Sequence, residues 1–372
     1  MQEKTKGNRV LIDGSRLMIE ALARAGADAF IGYPITPANL LYQYGSQRLK
    51  LMLPAPDEIT TLQWMSGLSA TGQLPVTATS FPGFALMLES INMAYMMELP
   101  MVIILVQRLG PATGTATCGA QGDLLLLRGM ISGAHPIPVL ATADFNDCWD
   151  LAAKAAEVAI NLRTPVVLLT SKEEVMTQKS FDMGTLAKVI PVERKHYDLE
   201  CEYKSYKPTD FVPDFLPVTQ NKHQVRLNAS THDQTGILQH SNEESMANTR
   251  RLEEKVIQRM KSHYYYSLDE QKGAKKLIVA YGITSSAALD ATEMLRNNGD
   301  KVSLLIPRTL IPTPAFYREL MMKHERVVIA EENINHQFGK LLFGENTPAN
   351  VAFVGSLGKM ISPEEIMKEV TA

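Results

Sequence analysis

The sequence is poor in the residues that build disulfide frameworks and metal clusters. Its three cysteines, Cys118, Cys148 and Cys201, are widely separated and form no CxxC pair, which excludes a disulfide framework. An iron–sulfur cluster needs about four cysteinyl ligands, so this chain cannot hold one. Cys118 lies in a Gly/Thr-rich loop. Its thiol is either inert or in contact with a ligand.

Histidine clusters and several common motifs are also missing. Five of the eight histidines fall between residues 196 and 263 without the i, i+4 spacing of helical metal ligands, so we expect solvated loop histidines and no metal site on this chain. GxxxxGK[ST], GxSxG and HExxH are absent, and no GxGxxG follows a strand. A P-loop is thereby excluded, and a Rossmann dinucleotide site is unsupported.

The chain has no segment of about 18 consecutive apolar residues, and it begins with the polar MQEKTKGNRV. These two features predict a cytoplasmic protein without a membrane span or signal peptide. The formal net charge of −3 gives no reason to expect nucleic acid or an anionic membrane as a partner.

The 372 residues exceed one typical core, so two domains are expected. In residues 1–184, apolar runs such as AFIGYP, PVTATS and LPMVIILVQR alternate with helical patterns, which predicts a doubly wound α/β domain. Residues 185–272 are polar and contain several prolines, which predicts an irregular insertion followed by a helix. In residues 273–372, KKLIVAYG, KVSLLIP, RVVIAEE and NVAFVG alternate with helical patterns and predict a second, smaller α/β domain.

Two helix ends are marked by their capping residues. Gly26 follows RLMIEALARA and suits a left-handed cap at a helix end. Near the C-terminus, Ser362, Pro363 and Glu365 in SPEEIMKEV have the spacing of a capping box with proline in the first helical turn.

Distinctive residues follow the predicted strands of the first domain. YPITP follows one strand, APDEITTLQW carries Asp57 and Glu58, TSFPG places a Pro-Gly turn before a helix, and a long Gly/Thr loop begins at Arg108. Because α/β sheets bind ligands beyond the carboxyl ends of their strands, these segments predict a binding site. Arg108 suits a carboxylate, which guanidinium binds bidentately, and a salt bridge to Asp57 or Asp123 is the alternative. Glu58 alone would be a helix-start carboxylate.

Taken in this order, the segments resemble one family over nearly the whole chain. The matching stretches are GYPITP, DEITTLQWMSGLSATGQLPVTATS, PGFALMLESINMAYMMELPMVIILVQR with the GP, TG and AQGDLL that follow, THDQTG, and EENINHQFGKLL. The chain is similar to the alpha subunit of thiamine-diphosphate-dependent 2-oxoacid:ferredoxin oxidoreductases, particularly the 2-oxoglutarate/branched-chain type. The resemblance implies a pyrimidine-type thiamine-diphosphate-binding domain followed by a transketolase-C-terminal-like domain.

The resemblance also implies roles for individual residues. Glu58 holds the position of the glutamate that contacts N1′ of the aminopyrimidine, where a carboxylate favours the imino tautomer that removes the C2 proton. Thr36, Arg108 and Thr117 match the substrate-side positions, with Arg108 as the carboxylate anchor. The cofactor-binding positions are Tyr33, Pro34, Ile35, Glu58, Phe81, Pro82 and Gly83. The EEN segment of the C-terminal domain is expected to be architectural.

The chain lacks the diphosphate-and-magnesium signature of thiamine enzymes, GDG followed by an Asn pair. The resemblance therefore implies a beta subunit that holds the diphosphate, Mg2+ and a [4Fe-4S] cluster, together with gamma and delta subunits. The implied reaction is the oxidative decarboxylation of a 2-oxoacid, 2-oxoglutarate first, to acyl-CoA and CO2. Coenzyme A accepts the acyl group and ferredoxin accepts the electrons.

Some positions depart from the family pattern. SFPG replaces the usual SGPG and puts Phe81 beside the cofactor. The loop after Arg108 differs at Leu109, Ala112, Thr115, Ala116 and Cys118. These changes leave two alternatives, a paralogue for another 2-oxoacid, such as a branched-chain acid or pyruvate, and a non-catalytic assembly subunit. The presence of Glu58 and Arg108 favours a catalytic subunit, because an inactive one needs neither.

Overall fold

The computed structural model describes residues 8–372, and residues 1–7 of the polar start, used above to predict the absence of a signal peptide, lie outside them. Residues 8–184 alternate strands and helices, as predicted. The strands are β1 (Arg9–Ile12), β2 (Ala29–Gly32), β3 (Leu51–Pro54), β4 (Pro75–Thr79), β5 (Met101–Gln107), β6 (Val139–Ala141), β7 (Pro165–Ser171) and β8 (Lys179–Asp182). The helices are α1 (Gly14–Ala25), α2 (Asn39–Arg48), α3 (Glu58–Ala70), α4 (Phe81–Met96), α5 (Leu124–Gly129), α6 (Phe145–Leu162) and α7 (Lys172–Met176).

A parallel sheet forms the centre of this domain. Its strands lie in the order β3-β2-β4-β5-β7-β6, and each neighbouring pair is parallel. β4, β5 and β7 are buried along their whole length, as expected of apolar strands covered on both faces. The helices form two groups, α1 with α2 and α6, and α3 with α4. The prediction of a doubly wound α/β fold is confirmed.

Residues 185–272 contain little regular structure before their helix, as predicted. Their elements are β9 (Pro208–Thr209), β10 (Val212–Pro213), α8 (Glu243–Arg259) and β11 (Tyr266–Asp269). Short 3-10 helices lie at Ser132–Ala134, Met183–Thr185 and Met260–His263.

A buried ion cluster holds α8 against the first domain. Glu98, in the turn before β5, is fully buried and accepts hydrogen bonds from Arg251 and from Nζ of Lys255, the latter at 2.7 Å. Burial alone would raise the pKa of Glu98, but the charges of Lys255 and Arg251 lower it to about 2. Removal of one partner would leave a buried charge uncompensated, so the cluster fixes this segment in place.

His232 of the THDQTG segment is buried, so the prediction of a solvated histidine is wrong there. Its ring lies 3.8 Å from the ring of Tyr206, centroid to centroid. Its Nδ1 lies 2.6 Å from the carbonyl of Ser230, and its Nε2 lies 2.9 Å from Nδ2 of Asn248 on α8. The polar segment folds back onto α8, and that contact is not visible in local sequence. No group of three or more His, Cys, Asp or Glu residues within 8–372 is placed to hold a metal ion.

The last part of the chain forms the second sheet. Its strands are β12 (Lys276–Ala280), β13 (Val302–Pro307), β14 (Thr309–Ile311), β15 (Arg326–Glu331) and β16 (Val351–Gly355). Its helices are α9 (Thr284–Asn297), α10 (Ala315–Met321), α11 (Gln337–Phe343) and α12 (Pro363–Thr371). The sheet order is β11-β13-β12-β15-β16, parallel except for β11.

Strand pairing crosses the predicted boundaries at two points. β14 pairs antiparallel with β6 and adds a seventh strand to the first sheet. β11, from the middle segment, joins the second sheet. The division into residues 1–184, 185–272 and 273–372 stays a prediction.

Both predicted helix caps are present. Gly26 ends α1 in the left-handed conformation, with φ of 106°. Ser362 and Glu365 form the capping box of α12, with Pro363 in the first turn. None of the helices between residues 8 and 372 combines the length and apolar character that crossing a membrane requires.

Candidate active site

Four segments meet beyond the carboxyl edge of the first sheet. The neighbouring strands β2, β4 and β5 end at Gly32, Thr79 and Gln107, and YPITP, SFPG and Arg108 follow them. β3, on the other side of β2, leads into α3 at Glu58. Because parallel strands point the same way, segments far apart in sequence converge at this edge.

Glu58 is the first residue of α3 and is only 6% exposed. Asp57 caps the helix by accepting a hydrogen bond from the Thr60 amide at 2.6 Å, so the Glu58 carboxylate is not needed as the cap. A Cβ added at Gly83 would clash with this carboxylate and with the Thr79 hydroxyl. Glu58 accepts no hydrogen bond from residues 8–372, and it is therefore free to accept one from a ligand.

The YPITP segment touches Arg108. Nη1 of Arg108 donates to the Thr36 carbonyl at 2.5 Å, while the Thr36 hydroxyl accepts from Nδ2 of Asn39 at 3.0 Å. Tyr33 and Pro34 are exposed. Two residues assigned to the substrate side, Thr36 and Arg108, are thus brought together, and the outer part of YPITP is open to a ligand.

Arg108 is buried without a salt bridge. It is 7% exposed, and within residues 8–372 no carboxylate oxygen lies within the 4.0 Å of a salt bridge to its guanidinium. Its Nε is buried and has no hydrogen-bond partner there. Burial lowers the pKa of Arg108, and the charge of Asp123 opposes that shift. A buried guanidinium with unused donors is a site for an anion.

The loop after Arg108 folds back on itself. The Leu109 amide donates to the Cys118 carbonyl at 2.8 Å, and the Thr115 amide donates to the Leu109 carbonyl at 3.0 Å. The exposed Thr117 directly precedes Cys118 in sequence. The hydrogen bond between Leu109 and Cys118 therefore brings Thr117 back to the start of the loop. The Cys118 thiol is half-buried and lies 3.6 Å from the Gly119 carbonyl.

The remaining predicted cofactor positions lie around Glu58. Phe81 and Pro82 are half-buried in the first turn of α4, directly before Gly83, and Ile35 is half-buried in YPITP. Phe81 thus lies two residues before Gly83, and its place beside the cofactor stays a prediction.

Gln121 ties the end of this loop to the second domain. Its Nε2 donates to the Tyr281 carbonyl at 2.8 Å, and its Oε1 accepts from the Thr284 hydroxyl and the Glu332 amide, each at 2.7 Å. Nδ2 of Asn333 donates to the Gln121 carbonyl at 3.1 Å. The EEN segment therefore positions the loop rather than the reacting groups.

Sequence patterns did not assign a role to two buried polar residues of this site. Thr79 is fully buried beside Gly83, and Asp123 is 4% exposed near Arg108. The signal for Thr79 was its place as the last residue of β4. The sequence offers Asp123 only as a salt-bridge partner of Arg108, although it lies two residues after the Gln121 anchor.

Residues 20–251 match the family described as "Pyruvate flavodoxin/ferredoxin oxidoreductase, thiamine diP-bdg". The chain belongs to this family. Residues 274–365 match "Pyruvate:ferredoxin oxidoreductase core domain II". The resemblance drawn from the motifs is confirmed, and the first domain is a thiamine-diphosphate-binding domain.

Individual relatives extend over most of the chain. It is 28% identical over 381 residues to the 2-oxoglutarate synthase subunit KorA of Methanothermobacter marburgensis, covering 96% of this chain and 97% of that one. It is 29% identical over 313 residues to the ketoisovalerate oxidoreductase subunit VorB of Methanothermobacter thermautotrophicus, covering 82% of this chain and 80% of that one.

Solved structures agree with the fold. The structure titled 2-oxoglutarate:ferredoxin oxidoreductase from Magnetococcus marinus with 2-oxoglutarate, coenzyme A and succinyl-CoA bound superposes with a TM-score of 0.91 at 26% identity. The match covers 98% of this chain and 65% of that chain. A transketolase from Campylobacter jejuni, at 13% identity with a TM-score of 0.54, shares the fold alone over 99% of this chain and 46% of its own.

The residues present fit one half of thiamine diphosphate. Glu58 offers a buried carboxylate that accepts no hydrogen bond from residues 8–372, and the missing Cβ at Gly83 lets that carboxylate lie against the first turn of α4. An N–H of an aminopyrimidine can fill that position as a hydrogen-bond donor. Glu58 and Gly83 are therefore the residues of this chain that would hold the aminopyrimidine.

Proposed function

We propose that this chain is the alpha subunit of a 2-oxoacid:ferredoxin oxidoreductase that decarboxylates 2-oxoglutarate and forms succinyl-CoA and CO2. The observation that carries the proposal is the buried, unpaired Arg108 guanidinium on the Thr36 carbonyl, at the same sheet edge as the free Glu58 carboxylate. The Arg108 guanidinium suits the carboxylate of a 2-oxoacid, and the Glu58 carboxylate suits the cofactor.

Each residue has a distinct task in this proposal. Arg108 binds the substrate carboxylate with the donors that residues 8–372 leave unused, and Thr36 and Thr117 line the same side. Glu58 would hold the aminopyrimidine of thiamine diphosphate by accepting a hydrogen bond from its ring nitrogen. Bound thiamine diphosphate supplies the electron sink for decarboxylation. Gly83 lets the Glu58 carboxylate and the Thr79 hydroxyl lie where a Cβ would otherwise stand.

The site on this chain is incomplete, so a partner is part of the proposal. We assign the diphosphate, Mg2+ and a [4Fe-4S] cluster to a beta subunit, since the chain has neither the GDG signature nor four cysteines. The proposal also includes gamma and delta subunits, ferredoxin and coenzyme A as partners, and a cytoplasmic location. Exposed apolar residues on α3 and α4, the helices that carry Glu58 and Gly83, support a docked subunit there. They are Ile59, Trp64, Leu86 and Met93.

A branched-chain 2-oxoacid is the second candidate substrate. The similarity to VorB and the bulky Phe81, two residues before Gly83, favour it. The substrate side chain is thus the property on which the two candidates differ.

The test is to co-purify the chain with its partner subunit and to measure acceptor reduction with coenzyme A across a panel of 2-oxoacids. The proposal predicts the highest kcat/KM with 2-oxoglutarate. A preference for 2-oxoisovalerate would establish the second candidate. A stable complex that reduces no acceptor with any 2-oxoacid would identify a non-catalytic assembly subunit and overturn the proposal.

A further inference from the structure

Gln121 is buried at the junction of the two domains, and both ends of its side-chain amide are paired across that junction. It is 1% exposed. Its Nε2 donates to the Tyr281 carbonyl at 2.8 Å, and its Oε1 accepts from the Thr284 hydroxyl and from the Glu332 amide, each at 2.7 Å. All three partners belong to the second domain. Because the amide has one donor end and one acceptor end, these partners fix the direction in which the side chain points.

The backbone of Gln121 is held by the same domain. Its amide donates to the Glu332 carbonyl at 2.9 Å, and its carbonyl accepts from Nδ2 of Asn333 at 3.1 Å. A Cβ added at Gly282 would lie 2.7 Å from Nε2 of Gln121, so the side chain fills the space that this glycine leaves. Displacing a buried amide from such a set of partners is costly, because each group loses its hydrogen bond in a low dielectric.

A short chain of contacts connects Gln121 to Arg108. Gln121 lies three residues after Cys118. The Cys118 carbonyl accepts a hydrogen bond from the Leu109 amide at 2.8 Å, and Leu109 directly follows Arg108. The loop 109–120, which carries Thr117, is therefore closed at its base by this hydrogen bond and held at its end by the second domain.

Other contacts also join the two domains. β14 pairs with β6, and Nε of Arg308 lies 2.7 Å from a carboxylate oxygen of Asp147. Loss of the Gln121 side chain should therefore release the end of the loop while the domains stay together.

We propose that the second domain sets the affinity of the candidate site for the 2-oxoacid by holding the loop 109–120 through Gln121. The inference rests on the proposed function, in which Arg108 and Thr117 lie on the substrate side. Binding to a loop that is already held costs less conformational entropy than binding that has to order the loop. Because the hydrogen bonds of its side chain go to the second domain, Gln121 acts through the loop and is a positioning residue.

The test measures KM and kcat for the preferred 2-oxoacid in the complex with the partner subunit. Gln121→Ala removes all three side-chain hydrogen bonds, and we expect KM to rise about tenfold with kcat within about twofold of wild type. Thr284→Val removes one of the three and should raise KM by about two- to threefold. The double variant should raise KM no further than Gln121→Ala alone, because the Thr284 hydroxyl then has no Gln121 side chain to bind.

Hydrogen–deuterium exchange of the same complexes, without substrate, gives a measurement that does not depend on activity. The amides of Leu109, Thr115 and Cys118 form hydrogen bonds within the loop. They should exchange at least about tenfold faster in Gln121→Ala than in wild type, while the amides of β5 should exchange at the wild-type rate. General destabilisation would instead speed exchange in both regions and lower the yield of complex without changing the KM of the complex that forms.

Thr292→Val is the matched control. Thr292 is a buried threonine of α9, as Thr284 is, but it donates to the Ala288 carbonyl of its own helix at 2.7 Å. Its KM and its loop exchange should equal those of wild type.

The outcomes separate this inference from the proposed function. If Arg108→Ala raises KM while Gln121→Ala and Thr284→Val keep the wild-type KM, or if their effects on KM add fully in the double variant, the inference is overturned and the proposed function stands. Thr284→Val alone decides the inference if Gln121→Ala does not assemble. If Arg108→Ala leaves KM unchanged, the proposed function itself loses its substrate anchor.

Discussion

Arg108→Ala should raise KM for the 2-oxoacid while largely preserving kcat. In the structure the guanidinium is 7% exposed, and its single hydrogen bond to residues 8–372 goes to the Thr36 carbonyl. Its remaining donors are free for a substrate carboxylate, and charge-assisted hydrogen bonds contribute about 1.5–3 kcal/mol. The loss corresponds to an increase in KM of about 10- to 100-fold.

The assay is steady-state acceptor reduction by the purified complex over a range of 2-oxoacid concentrations. Arg108→Lys should fall between wild type and Arg108→Ala, because lysine keeps the charge but cannot bind a carboxylate bidentately. Arg128→Ala is a suitable control, since Arg128 is exposed on α5 and donates to the Ala134 carbonyl. An unchanged KM in Arg108→Ala would refute the assignment of Arg108 as substrate anchor.

Three further changes probe other parts of the account. Gly83→Ala should lower turnover while the complex still assembles, since the new Cβ meets the Glu58 carboxylate; wild-type turnover would contradict it. Trp64→Asp on the exposed face of α3 should abolish co-purification with the partner subunit without unfolding the chain, as checked by circular dichroism. Burial raises the pKa of Glu174 to about 7, so the folded state binds the extra proton and stability falls as pH rises from about 4.5 to about 7. Glu174→Gln should reduce the difference between the free energies of unfolding measured in urea at about pH 5 and about pH 8. The same difference as in wild type would contradict this prediction.

The elements that sequence predicted well carry local signals. The continuous apolar run of β5 indicates a strand covered on both faces, and Gly26 and Ser362 mark helix ends through backbone geometry. The place of the site was also predictable, because the carboxyl ends of parallel strands share an edge. The segments that follow those strands therefore had to meet.

The features that sequence did not predict depend on distant contacts. β14 has three residues and becomes a strand only by pairing with β6. His232 lies in a polar segment, and its burial follows from packing against Tyr206 and Asn248. The hydrogen bond from Arg108 to the Thr36 carbonyl likewise follows from the order of β5, β4 and β2 in the sheet and not from any spacing along the chain.

The most direct test of the central claim is the turnover of Glu58→Ala in the complex with the partner subunit, measured as CO2 release and acceptor reduction from a 2-oxoacid with coenzyme A. Glu293→Ala, at an exposed glutamate on α9 of the second domain, is the control. The account predicts that Glu58→Ala assembles normally but loses turnover by at least about 100-fold, since general acid–base catalysis contributes on that order. Near-normal turnover in an assembled complex would contradict the claim that Glu58 activates the cofactor.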